Sequence, residues 1–310
     1  MKKRSLPLLL ALFMLVPACA TKAVRPDGTP IPVAAPGQPE GTPAPGVPAP
    51  SGTQHVTLVL GGAGVASFAT VGLLKKFYEE GVEVDLIVST GWPTLFALAN
   101  GFLKSIHDLE WFATRLERKD FDKMGSVDFH KDIDPSEGLP PIILNSFPQT
   151  LLNQTRVPVV IAATNTDLGE PDVFGSGGWK EPLLKTVSVP GLYRKFSAER
   201  GTAWIDGVVA LDVREAVRRG ATSIIAVSMY EDYANSITQK KDEELIRRVY
   251  AAQLRKTTNE AMKQATLSGR IELKREPTDY AAKRAAIAAG YREGARLIKK
   301  LREPASSPAN

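Results

Sequence analysis

The residues whose types and spacing could do chemistry gather in three short stretches of a 310-residue chain. Gly61, Gly62, Ala63 and Gly64 close an apolar run. Glycines that lead from a strand into a helix let backbone N–H groups face an anion, either a phosphate or an oxyanion; they also serve a plain tight crossover. Ser89, Thr90 and Gly91 close a second run, with Thr94 just beyond, so hydroxyls cluster around a glycine. Asp206 stands before Gly207, where a turn aspartate bonds its own backbone. A dinucleotide loop needs a third glycine where Ser67 stands, and a nucleoside triphosphate loop needs a Gly-Lys-Ser/Thr run that is absent. His55, His107 and His130 have no ligand spacing and read as surface or capping residues. Cys19 is the one cysteine, so no intrachain disulfide, no metal and no cofactor are expected.

Strands and helices must hold these residues in place. Branched apolar runs at 56–60, 84–88, 157–163 and 223–228 predict buried strands. Helices are predicted over 67–80, 94–104, 108–119, 212–219, 241–266 and 279–301, with Gly81 capping the first and Gly220 following the fourth. This alternation predicts an α/β fold, with helices flanking a mostly parallel central sheet and no internal repeat. Such sheets bind ligands at the carboxyl ends of their strands, so function is expected at the turns after Leu60 and Val88.

The first 53 residues differ in kind. Lys2, Lys3 and Arg4 precede an apolar stretch from Leu6 to Val16, followed by Pro17, Ala18 and Cys19. That is the layout of a secretory signal, too short to span a bilayer stably. A cysteine directly after a small residue resembles a bacterial lipoprotein signal, in which residues 1–18 are removed and the Cys19 thiol is acylated. Cleavage after Ala20, giving a secreted or periplasmic protein, is the alternative. Acyl chains contribute about 0.8 kcal/mol per buried methylene, so two or three anchor a protein stably in membrane lipid. By the same resemblance, Ala20 in place of aspartate implies the outer membrane of the cell envelope. Residues 19–53 carry nine prolines between Pro26 and Pro50 and few large apolar side chains. They read as a disordered tether with a reach of about 100 Å, ahead of a folded domain at 54–303 and a disordered tail at 304–310. The formal charge of +5 becomes 5 − 3 = +2 without Lys2, Lys3 and Arg4, which removes the positive field that a nucleic-acid binder uses.

With LVLGGAGVASFATVGLL at 58–74, VDLIVSTGWPTLFA at 84–97 and WIDGV at 204–208 in that order, the folded part resembles the patatin-like phospholipase family. Residues 58–74 are similar to the family's first strand and glycine-rich oxyanion loop, here Gly62, Ala63 and Gly64. Residues 84–97 are similar to its second strand and G-T-S-A-G nucleophile elbow. The segments VPVVIAATNTDLG at 157–169, SVPGL at 188–192 and WIDGV at 204–208 look like a core strand, the S-x-P-G segment and the motif of the catalytic aspartate. Residues 279–301 look like the last helix. The resemblance runs in order over 56–301 and implies a patatin-like three-layer fold. It also implies a loss: the nucleophilic serine falls on Gly91, the alanine after it on Trp92 and the second glycine on Pro93, while in the first turn the family's arginine and closing glycine fall on Ala66 and Ser67. Asp206 is the retained dyad aspartate, and a carboxylate without a hydroxyl to activate does nothing by itself.

Glycine adopts an elbow's strained backbone with least penalty, relieving on the order of 1–3 kcal/mol, so the turn can outlive its function. Pro93 suits the first turn of the next helix. Trp92 is expected either to fill part of the former pocket or to form an apolar surface beside it. The resulting expectation is a membrane-anchored pseudoenzyme that binds a lipid ligand or an envelope protein partner through a remnant cleft at Trp92 and Pro93. One alternative is a lipid acyl hydrolase using a displaced hydroxyl, Ser89 first and Thr90 second, with Asp206 as base. Another is a structural envelope lipoprotein acting through the helices after Lys240. A hydroxyl poised against Asp206 would contradict the inert reading.

Overall fold

The computed structural model describes residues 54–122, 139–147, 151–190, 192, 196–197, 202–206, 211–235 and 241–303. The signal segment, Cys19, the tether, His130, Gly207 and the tail at 304–310 lie outside them. In chain order the elements are β1 (Gln54–Gly62), a 3-10 turn (Gly64–Phe68), α1 (Ala69–Glu79), β2 (Val82–Gly91), α2 (Pro93–Phe102), α3 (Ile106–Arg115), α4 (Arg118–Phe121), α5 (Pro141–Ser146), β3 (Val159–Asn165), β4 (Glu170–Phe174), α6 (Lys180–Thr186), β5 (Phe196–Ser197), β6 (Ala203–Ile205), α7 (Val213–Arg218), β7 (Ile224–Met229), α8 (Glu231–Asn235), α9 (Lys241–Gln264), β8 (Leu267–Arg270) and α10 (Lys283–Arg302).

The strands make one sheet of eight in the order β5-β6-β3-β2-β1-β7-β8, with β4 against β3. Pairing is parallel from β3 through β2, β1 and β7 to β8, and antiparallel where β4 and β6 meet β3 and β5 meets β6. Alternation along the strands sends Leu58, Leu60, Ile87, Ile161 and Val227 into one apolar cluster with Leu73 of α1, Phe96 of α2 and Leu297 of α10. Val59, Val88, Val160 and Ala226 point the other way, onto Val213 and Ala216 of α7 and Ala261 of α9. Both faces are thus covered, and the result is three layers. The predicted parallel strands read as unbroken apolar runs for this reason, since each face needs its own apolar residues.

Three expected helices begin or end differently; the last opens as a 3-10 turn over Tyr280–Ala282 before α10. The first opens as the 3-10 turn and becomes α-helical at Ala69. The stretch 108–119 breaks after Arg115, where Leu116 turns extended, and restarts as α4 with the Asp120 carboxylate accepting the Glu117 N–H at 2.8 Å. Pro93 stands at the start of α2, as expected. That helix is buried from Pro93 to Gly101, so it shows no polar stripe and runs through the interior.

Candidate functional site

β1 and β2 stay paired to their last residues, so that Gly62 lies opposite Gly91. At Gly91 φ is +69°, a left-handed conformation that glycine enters without a Cβ penalty. The chain then turns through Trp92 into α2. A sharp strand-to-helix turn therefore stands at the carboxyl end of β2 with only a hydrogen atom at its tip. A Cβ added there would lie 2.9 Å from the Tyr230 hydroxyl and 3.3 Å from Asp206 Oδ2, and closer still to the carbonyl oxygen of Gly62.

Four amides of the two turns have partners within the protein. Gly91 N–H donates to Thr186 Oγ1 at 2.8 Å, and that hydroxyl donates to the Ala162 carbonyl at 2.7 Å. Trp92 N–H donates to the Gly62 carbonyl at 3.0 Å. In the first turn, Ala63 N–H reaches the Met229 carbonyl at 3.4 Å and Val65 N–H the Pro277 carbonyl at 2.7 Å. Gly64, with φ at +63°, lies so near that Pro277 carbonyl that a Cβ would collide with it. An oxyanion hole needs donors aimed at the place where charge develops; the Ala63, Val65 and Trp92 amides are aimed at carbonyl oxygens of the protein itself.

Asp206 follows the last residue of β6 and is fully buried. Its N–H donates to the Ser188 carbonyl at 3.1 Å, and the Tyr250 hydroxyl on α9 donates to Oδ1 at 2.5 Å. Oδ2 faces Gly91 beside the Tyr230 hydroxyl, and these two atoms close no hydrogen bond of good geometry. Burial pushes the Asp206 carboxyl up from 3.8 to about 7, outweighing the opposite pull of Tyr250 and Tyr230. Burial, followed by the nearby carboxylate, pushes both phenols well above their ordinary value. They stay neutral, and Tyr250 acts as a donor.

The hydroxyls named from the sequence sit elsewhere. Ser89, Thr90 and Thr94 are buried; Ser89 Oγ accepts the Thr94 hydroxyl at 3.0 Å, and Thr90 Oγ1 is 3.5 Å from Thr186 Oγ1. The hydroxyls that do stand against Asp206 are the phenols of Tyr230 and Tyr250, which sequence reading did not single out; they meet the condition set against the inert reading, but as buried phenols held neutral, not as the serine or threonine hydroxyls which that reading had in view. Tyr230 had a usable signal, since it directly follows Met229 at the carboxyl end of β7. Tyr250 had none; it is one residue within a 24-residue helix.

Of the two outcomes expected for Trp92, the structure has the filled one. The indole is 1% exposed, with its ring 5.1 Å from Phe121, which stacks on Tyr280 at 4.1 Å. Phe68 packs on Phe96 at 4.7 Å beside them. Pro93 is buried as well, against Gly62. At the far, amino ends of β1 and β2, exposed His55 bonds Asp85 at 2.9 Å, which raises its pKa. With Glu83 these residues bring ligand-type atoms within 4.8 Å of one another, a grouping across strands that linear spacing does not show. His107 is exposed and 3.7 Å from Glu110.

No family model matches the chain, and no curated protein matches it. Among solved structures it is similar to VipD from Legionella pneumophila, with 12% identity, a TM-score of 0.45, and coverage of 80% of this chain and 67% of that one. Among the described residues no helix is long and apolar enough to cross a membrane.

Proposed function

We propose that residues 54–303 are a patatin-like acyl-hydrolase frame that has lost turnover and acts by binding, held at the bacterial outer membrane through acylated Cys19 and the proline-rich tether. One observation carries this reading. The space that a serine side chain at position 91 would enter is taken by the Gly62 carbonyl, and the same oxygen holds the Trp92 N–H. Nucleophile and oxyanion donor are lost together. The elbow's backbone persists because glycine keeps the left-handed turn at no steric cost. The test is fluorophosphonate labelling together with ester hydrolysis by the full chain. Neither labelling nor turnover above buffer is expected. A specifically labelled serine or threonine, with turnover abolished by Ser89→Ala, would establish the displaced-hydroxyl hydrolase instead. Membrane fractionation of the wild type and Cys19→Ala tests the anchor: the variant is expected in the soluble fraction.

A further inference from the structure

With Trp92 and Pro93 packed into the interior, the carboxyl end of the sheet presents no apolar mouth at the elbow. The other end has a cleft whose lining is part apolar and part polar. This cleft of about 330 Å³ opens where the amino-terminal part of β2 meets the carboxyl-terminal parts of α1 and α2. That volume lies at the low end of the range of ligand pockets, about 300–1,000 Å³. Its accessible apolar surface comes from Tyr78, Val84 and Val157, with Leu74 and Phe77 buried beneath them, while Lys104 and Arg156 stand exposed at its rim.

We propose that this cleft binds a single-chain anionic amphiphile, a fatty-acid carboxylate, with its alkyl chain on the apolar floor and its head group between the two cations. Burying alkyl surface supplies the main attraction, about 25 cal/mol per Å² of apolar area, and the cations select the charge. Arg156 is held in position: its N–H donates to the Gly101 carbonyl at 2.9 Å and its Nη2 to the Asn100 carbonyl at 3.0 Å. The remaining guanidinium donors are left for a carboxylate, which a planar fork binds well. Among the described residues Lys104 has neither a hydrogen bond nor an ion pair. Glu83, the one acid on the lining, is 3.8 Å from His55. A free phosphate or acetate would leave the floor uncovered. The proposal does not depend on whether the domain hydrolyses esters.

The test is calorimetric titration of the full chain carrying Cys19→Ser, which removes the competing acyl group, with dodecanoate below its micellar concentration, with dodecanol and with acetate. Dodecanoate is expected to bind saturably at one site, dodecanol at least tenfold more weakly, and acetate not at all. Lys104→Ala and Arg156→Ala should each weaken dodecanoate about three- to tenfold; Lys104 is exposed and has no partner among the described residues, so its variant should leave the thermal midpoint unchanged. Val157→Trp should fill the cleft and abolish binding. Equal affinity for dodecanoate and dodecanol, binding unmoved by Lys104→Ala, or no saturable binding would each overturn the proposal. So would a concentration-dependent dimer lost in Val157→Trp, since the cleft would then belong to a second copy.

Discussion

The carbonyl oxygen of Gly62 accepts the Trp92 N–H at 3.0 Å and stands where a side chain on residue 91 would project. On the proposed reading, one atom thereby occupies two places an acyl-transfer site would need: the amide that would steady an oxyanion and the space from which a nucleophile would attack. The cause lies in the ladder, which continues to the Gly62 and Gly91 pair. A bulkier residue at either position would end it earlier, because a Cβ on Gly62 would itself meet Met229 Cβ at 2.7 Å and the Pro93 ring at 3.0 Å.

A serine introduced at position 91 should therefore fail to confer activity. Gly91→Ser places a side chain in left-handed backbone and against three neighbours. The expected cost is roughly 2–5 kcal/mol from overpacking and strain. Thermal unfolding should show a lowered midpoint, and fluorophosphonate labelling should remain at background.

The buried carboxylate gives stability a pH dependence of known sign. Asp206 titrates near 3.8 when unfolded and at about 7 when folded, so between those values the folded state holds more protons. Stability contributed by the protonated group is full below pH 4, declines as pH rises toward 7 and is flat above. The difference, 7 − 3.8 = 3.2, corresponds to roughly 4 kcal/mol. Asp206→Asn should remove this slope, and the variant should gain stability relative to wild type between pH 5 and pH 8. Denaturant titrations of both proteins at the two pH values read it directly.

The two tyrosines around that carboxylate should not be equivalent. Tyr250→Phe removes the 2.5 Å hydrogen bond to Oδ1 and should cost about 1–3 kcal/mol at pH 8, where the carboxylate is charged. Its removal also lets the Asp206 carboxyl titrate higher. Tyr230→Phe should cost less, since that hydroxyl closes no well-formed bond. Chemical denaturation of the two variants side by side decides the order.

Much of this frame was legible in the sequence, and the physical reason is periodicity. Strands β1, β2, β3 and β7 are central and parallel, so both faces need apolar residues and the runs stand out. β4, β5 and β6 have two to five residues and no fully buried run, and nothing local marks them. The glycine at the tip of the second turn could be read from one chain. What fills the site could not: Trp92 meets Phe121, and Asp206 meets Tyr250 across 44 residues, through tertiary packing alone.

Trp92 should behave as a core residue. Trp92→Ala removes an indole that is 1% exposed among Phe121 and its aromatic neighbours. The resulting cavity should cost about 3–5 kcal/mol, seen as a lower midpoint of thermal unfolding. Survival of the variant at wild-type stability would mean that the indole is not packed there.

The exchange rate of the Trp92 backbone amide with deuterated solvent tests the sealed turn most directly. Bound to Gly62 and buried, that proton should exchange only through global unfolding, with protection matching that of the β1 and β2 strand amides. Exchange within seconds at neutral pH, while the strand amides stay protected, would show an open turn with a free donor and contradict the account.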